Sequence, residues 1–255
     1  MTNISQNNPW FAYIKSNPHA DLRLFCFPFA GGSAMTYRTW SDFLPTNIEV
    51  CPVELPGRGS RMREQAYTKI KPLVQNLSEA LVSYLDRPYV FFGHSMGALI
   101  GFELVRLFRG KKLPLPAHFF VSGHIAPQVE SHHDPIFNLP DEAFREELLK
   151  LDGTPEPVLN NDELMRLLLP MLRADFELNE TYAYEPDDPL ECPITVYGGI
   201  HDNDVDRKSL EAWQEQTSAK FSIQMFAGGH FFFQTEQSVV LQVLSHQLKA
   251  IVAEL

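Results

Sequence analysis

Cysteine is scarce in this chain of 255 residues: three stand at positions 26, 51 and 192. An odd number, each in or beside an apolar strand-like run, excludes a disulfide scaffold and reads as buried free thiols in a reducing compartment. No Cys-x-x-Cys pair or Cys/His cluster offers a zinc set, and the adjacent His132-His133 with Asp134 lacks further ligands, so no metal is expected. Long apolar runs are missing too. None approaches the roughly 20 residues of a membrane span, and the first twenty residues lack the basic and apolar regions of a secretory signal. A cytoplasmic protein without membrane attachment is the expectation. Basic residues are outnumbered, Lys and Arg 21 against Asp and Glu 32, for a net charge of -11. With no basic stripe to offset it, that charge repels a phosphate backbone, and nucleic-acid binding is excluded. Internal repeats and low-complexity segments are absent as well.

What is present is the composition of an ordinary globular protein, 44% hydrophobic and 21% charged, at a length that fits one α/β domain over 1–255. Apolar runs bounded by Gly or Pro predict strands at 22–27, 48–53, 89–92, 118–122, 194–197 and 221–226. Several show little polar alternation, the mark of strands covered on both faces, as in a mostly parallel sheet. Helical spacing predicts helices at 70–85, 98–108, 209–216 and 239–252, so strand and helix alternate and the class is α/β. About seventy residues separate the strand ending near Ser122 from the one starting at Ile194, far more than a βα connection needs. Helical patterns at 141–151 and 162–182, capped at Asp141 and at Asn161 or Asp162 and separated by a breaker at 153–157, predict a helical lid inserted at about 125–190.

The strand-like 89–92 runs into Gly93-His94-Ser95-Met96-Gly97 and then into a helical pattern. Gly-x-Ser-x-Gly alone would occur by chance about one time in ten in a chain this long, at about 7% usage of each residue. In strand, turn, helix context it is a nucleophile elbow, its glycines present because Cβ atoms there would collide across the turn. A serine hydroxyl needs a base, and the base needs an acid to fix its tautomer. In this architecture the chain order is Ser, acid, His. His230, after Gly228-Gly229 at the end of a strand, is in a loop that can reach the sheet's top edge, whereas His246 lies among helical residues. The acid belongs after the strand at 194–197. Asp202 comes first there, with Asp204 the main rival and Asp206 behind. Two backbone N–H groups must form an oxyanion hole. Met96, after the nucleophile, is one candidate, and Ala30, with Phe29 as its rival, is the other, in the Gly-rich loop after the first strand.

These motifs together resemble the type II thioesterases of the α/β-hydrolase superfamily, free-standing editing enzymes of nonribosomal peptide and polyketide synthases. The resemblance rests on Cys-Phe-Pro-Phe-Ala-Gly-Gly-Ser from Cys26, Leu-Pro-Gly-Arg-Gly-Ser-Arg from Leu55, the elbow, Leu-Leu-Leu-Pro-Met-Leu-Arg-Ala-Asp-Phe within 164–182, Gly-Gly-Ile-His-Asp from Gly198 and Gly-Gly-His-Phe-Phe from Gly228. The family's nucleophile, acid and base fall on Ser95, Asp202 and His230, and every catalytic position of its pattern is filled. It implies hydrolysis of mis-primed or stalled acyl groups from the 4′-phosphopantetheine arm of acyl or peptidyl carrier domains, with no cofactor of the enzyme's own. The rival readings are a medium-chain fatty-acyl or product-releasing thioesterase, a carboxylesterase of the same fold, and a hydrolase-fold binding protein with no activity.

Leu164, Leu167, Leu168, Met171 and Leu172 form an apolar stripe that either lines an acyl tunnel or packs the lid onto the body, packing being favoured. Phe29, Leu168, Met171 and Phe231 are the candidate substrate-lining residues. Arg58, Arg61 and Arg63, and separately Arg106, Arg109, Lys111 and Lys112, offer charge to an acidic carrier or the arm's phosphate, with solvated helix ends an equal account of the second group. Nothing in the sequence demands more than a monomer.

Overall fold

The computed structural model describes residues 8–255 except Ala12, His132, Asp152 and Pro155. Six strands form one sheet: β1 (Leu22–Phe27), β2 (Ile48–Pro52), β3 (Tyr89–His94), β4 (His118–Ser122), β5 (Ile194–Gly199) and β6 (Phe221–Phe226), in the order β2-β1-β3-β4-β5-β6. Every pairing is parallel, with Leu24 beside Val50 on one side and Val90 on the other. The apolar runs read as doubly covered strands are buried throughout β1, β2, β3 and β5, while the edge strand β6 alternates between half-buried and exposed positions.

Period two divides each strand between two cores. Phe25, Phe27, Phe91, Phe119 and Val196 face α1 (Ile70–Leu81) and α2 (Met96–Lys111). α1 meets them with Ile70, Leu73, Val74, Leu77 and Leu81, a stripe at helical spacing. Leu24, Cys26, Val90, Phe92 and Tyr197 belong to the opposite core. Between β4 and β5 the chain inserts α3 (Asp141–Lys150), α4 (Glu156–Leu159) and α5 (Asp162–Glu180). The insertion has a core of its own, built on Phe144, Leu148, Met165, Leu169 and Leu172. α6 (Arg207–Glu211) follows β5, and α7 (Phe232–Thr235) and α8 (Gln237–Glu254) follow β6. Val240, Leu241, Leu244 and Leu248 of α8 cover the second core.

Some boundaries differ from the sequence reading. β3 continues through His94 and α2 begins at Met96, so the strand-to-helix turn is the single residue Ser95 rather than the five residues 93–97. The helix read at 209–216 is α6 followed by a 3-10 turn (Ala212–Gln216), and α4 starts inside the segment read as a breaker. Asn161 caps α5, accepting from the Glu163 and Leu164 N–H groups at 3.1 Å. Asp141 is not a cap: Pro140 holds that position, and Asp141, the first helical residue, pairs with Arg173 at 2.6 Å. All three cysteines are free and buried. Among the described residues, no helix is long and apolar enough to cross a membrane.

The strand order places the site. β1 is followed by β2 on one side and flanked by β3 on the other, so the connections leaving β1 and β3 diverge. In an open parallel sheet, that divergence opens a crevice beyond the strands' carboxyl ends.

Candidate active site

Ser95 sits in that crevice with φ 52° and ψ -123°, a conformation that L-residues rarely adopt. Its N–H donates to the Ser122 carbonyl at 2.8 Å, so the end of β4 fixes the turn. The glycines work by what they lack. A Cβ on Gly93 would lie 2.2 Å from the Gly97 carbonyl oxygen, and one on Gly97 would lie 2.2 Å from that of Phe27. Gly97 thus lets the loop after β1 rest directly on the first turn of α2, beside the Met96 N–H, which has no intrahelical acceptor at that position.

The acid and the second imidazole arrive on the two following strand ends. A Cβ on Gly199 would meet the Gly229 carbonyl oxygen at 2.3 Å, so the loops after β5 and β6 lie back to back. The Ile200 N–H bonds Phe226 O at 2.8 Å and the His201 N–H bonds Gly228 O at 2.9 Å. This brings His230 Nδ1–H to Asp202 Oδ2 at 2.8 Å, with the Asp202 side chain 1% exposed. Asp202 Oδ1 is held by the N–H groups of Asp204 (3.0 Å) and Val205 (3.1 Å), which leaves Oδ2 for the histidine. The other candidates lie elsewhere. Asp204 Oδ1 is 3.6 Å from His133 Nε2, Asp206 caps α6 through the Ser209 N–H, and His246 lies on α8 in a surface groove with Phe43 and Lys249. Among the described residues no hydrogen bond joins Ser95 to His230. The His230 ring nevertheless lies 5.0 Å, centre to centre, from that of His94, the residue before Ser95.

His94 is a part of the site that sequence reasoning passed over, although it occupies the variable position before the elbow serine. It is fully buried, its Nδ1 bonds the Ser122 hydroxyl at 2.9 Å, and Phe29, Phe231, Phe232 and Phe233 surround it. Burial, reinforced by His230 and His124 nearby, pushes its pKa well below the ordinary imidazole range and keeps it neutral.

Of the candidate substrate-lining residues, Phe29 and Phe231 stack edge-on at 5.0 Å beside His230. The insertion reaches this wall, since a Cβ on Gly153 would lie 2.7 Å from Phe231 Cζ. Met171 and Leu168 instead belong to the insertion's own core, and Leu164 and Leu167 point outward, 41% and 55% exposed.

The loop after β1 makes a type II turn at 29–32. Gly32 N–H bonds Phe29 O at 2.8 Å and Gly31, the third residue, has φ 80°. Arg58 and Arg61, read as groups for an acidic carrier, turn inward. Arg58 forms a bidentate pair with Asp175 of α5, both bonds 2.7 Å and both side chains buried. Arg61 lies over the Trp10 ring and donates to the Glu54 carbonyl. Neither guanidinium is free for a partner, because each fills its donor fork with carboxylate or carbonyl oxygens of the chain. Arg106 and Arg109 tie the end of α2 to 185–189. His132 lies outside the described residues, and among those described no cluster of His, Cys, Asp and Glu could hold a metal.

A serine elbow after β3, with an acid and a histidine carried over it by β5 and β6, is the arrangement of the α/β hydrolases, and the chain has that fold. The thioesterase domain profile matches residues 22–250, and the chain belongs to that family. It is 47% identical over 253 residues to the gramicidin S biosynthesis protein GrsT of Aneurinibacillus migulanus, covering 99% of each chain. Among solved structures it resembles BorB, the type II thioesterase from the borrelidin biosynthetic cluster (TM-score 0.84, 35% identity, 94% of this chain and 98% of that one). ClbQ from the colibactin NRPS/PKS pathway is similar (TM-score 0.86, 34% identity, 91% and 98%).

Proposed function

We propose that the chain is an editing thioesterase that clears mis-primed or stalled acyl groups from the 4′-phosphopantetheine arm of carrier domains in nonribosomal peptide or polyketide synthesis. The observation that carries this reading is the Asp202–His230 hydrogen bond, 2.8 Å long, beside the Ser95 elbow. ClbQ, from the colibactin NRPS/PKS pathway, supports the setting, and so do GrsT and BorB, a gramicidin S biosynthesis protein and a type II thioesterase from the borrelidin biosynthetic cluster. With Nδ1–H given to Asp202, His230 presents Nε2 as the base. It takes the Ser95 proton as the hydroxyl oxygen attacks the thioester carbonyl, forming a C–O bond and a tetrahedral oxyanion. The N–H groups of Met96 and Ala30 bind that oxyanion. Collapse breaks the C–S bond, and the pantetheine thiol leaves with the proton held by His230. Water, activated by the same imidazole, then releases the acid from Ser95. The Ser95–His230 hydrogen bond closes with substrate in place, as catalytic hydrogen bonds commonly do.

In this reading the insertion α3–α5 is the lid, and Phe29 and Phe231 form the wall beside the acyl group. The enzyme acts as a monomer, in the cytoplasm, and the substrate alone supplies the pantetheine. Hydrolysis of an acetyl carrier domain, a long-chain acyl carrier, acetyl-CoA and p-nitrophenyl acetate tests the substrate class. The reading expects the acetyl carrier to give the highest kcat/KM. Preference for the long chain would favour product release, and preference for the oxygen ester would favour a carboxylesterase.

A further inference from the structure

Ala30 is pinned on both sides. Within the turn at 29–32 the Gly32 N–H is bonded to Phe29 O, and the Gly31 N–H, which belongs to the middle peptide of the turn, donates to Asp175 Oδ2 at 2.8 Å. The middle peptide of a type II turn is the unit whose rotation converts it to type I. A carboxylate facing it accepts an N–H and repels a carbonyl oxygen, so Asp175 holds the peptide in one of its two orientations. Arg58 completes the clamp. Its Nη1 and Nη2 each reach an Asp175 oxygen at 2.7 Å, Nη1 also donates to the Gly32 carbonyl at 3.0 Å, and Nε and Nη2 lean on Pro56 O. A Cβ on Gly31 would lie 2.7 Å from Leu172 of α5, so helix and turn are in close contact as well. The clamp joins three segments far apart in sequence: the loop after β1, the loop after β2 and the insertion helix. With the Gly31 N–H and the Gly32 carbonyl both engaged by the pair, the Ala30 N–H is left without an acceptor among the described residues.

We infer that Arg58 and Asp175 are a positioning pair that presets the Ala30 N–H for the oxyanion and couples its geometry to the seating of α5. This deepens the function proposed above and rests on it. Neither residue touches the reacting atoms; each acts through the turn. A pair that served stability alone would lower the melting temperature and leave each folded active site at full speed. A positioning pair sets the oxyanion hole, so its loss shows in kcat and in affinity for tetrahedral analogues while ground-state binding stays.

The test measures Asp175→Asn, Arg58→Lys and Ser95→Ala beside the wild type on an acetyl carrier domain. Active sites are counted by fluorophosphonate labelling, and affinity is measured for a trifluoromethyl ketone analogue of the acyl thioester. For Asp175→Asn the expectation is a kcat per labelled site about 10²-fold lower, as for loss of one oxyanion donor. Analogue affinity should fall in proportion, with KM within about twofold. Arg58→Lys keeps the charge and loses the fork, and a kcat deficit of about tenfold in the same direction is expected; it decides the matter if Asp175→Asn does not fold. Full kcat per labelled site in the folded variants, with analogue affinity unchanged, overturns the inference. If that occurs while Ser95→Ala abolishes turnover, the inference alone falls. If turnover survives Ser95→Ala, the function it rests on falls with it.

Discussion

Ser95 stays in a backbone region that costs about 1–3 kcal/mol because the surrounding chain leaves it no alternative. Its N–H is taken by Ser122, and the approach of Gly93 to Gly97 closes the turn over it. The same economy governs the acids after β5. Asp202 has one oxygen fixed by two backbone N–H groups and the other on His230, whereas Asp204 faces His133. Asp202→Asn should therefore lower kcat by about 10⁴-fold, and Asp204→Asn should leave it near wild type, as steady-state hydrolysis would show. Glu54 is a second telling residue. Fully buried beneath Gly59, it has its pKa pushed up to about 7 by burial, which outweighs the opposing pull of Arg58, the Ala34 N–H and Arg61. Between its unfolded value of 4.5 and about 7 the native state holds the extra proton, so stability falls as pH rises through that window. Glu54→Gln should remove this slope. The variant should gain about 1–2 kcal/mol over wild type at pH 8 and close to nothing at pH 4.5, as measured by urea unfolding. The pairing of Asp202 with His230 was legible in the sequence because Asp202 is the first acid after a glycine turn at a strand end. The inward course of Arg58 was not, because its partner Asp175 lies 117 residues away and no local pattern joins them.

At the scale of elements, periodicity carried the reading. All six strands and the long helices stand where apolar spacing put them, because burial against two cores demands that spacing. The ends were less legible. Gly93 and His94 lie past the apolar run and read as part of the elbow's turn, yet they remain in β3 because the elbow needs only Ser95 between strand and helix. Asp141 read as a cap, and Pro140 displaced it. α2 offers an internal comparison between two of its glycines. A Cβ on Gly97 would strike backbone at the end of β1 and the start of the loop after it, whereas one on Gly110 would meet nothing within 4 Å. Gly97→Ala should destabilise by about 1–3 kcal/mol through overpacking and suppress turnover by driving the oxyanion turn from α2. Gly110→Ala should stabilise by about 0.5–1 kcal/mol and leave kcat alone. Denaturant unfolding with parallel activity assays checks both, and equal effects of the two substitutions would refute the close approach.

The whole molecule joins a sheet, which sets the positions of Ser95, Asp202 and His230, to a helical insertion whose α5 packs Leu178 into the main core and reaches the site at a few residues. Gly153 touches Phe231 beside the imidazole, and Asp175 and Leu172 touch the turn after β1. The sequence announced the insertion through the length of the gap between β4 and β5. It could not announce those contacts, which depend on how α5 is seated. Acyl selectivity should accordingly follow the insertion and the Phe29–Phe231 wall, and the chemistry should follow the sheet. The central claim is that Ser95, served by His230 and Asp202, hydrolyses carrier-bound thioesters. The most direct measurement is release of acetate from an acetyl carrier domain by wild type and by Ser95→Ala, with folding of both verified by circular dichroism. The account predicts rapid release by the wild type and a kcat lower by about 10⁶-fold in the folded variant. Turnover by Ser95→Ala near the wild-type rate would contradict it.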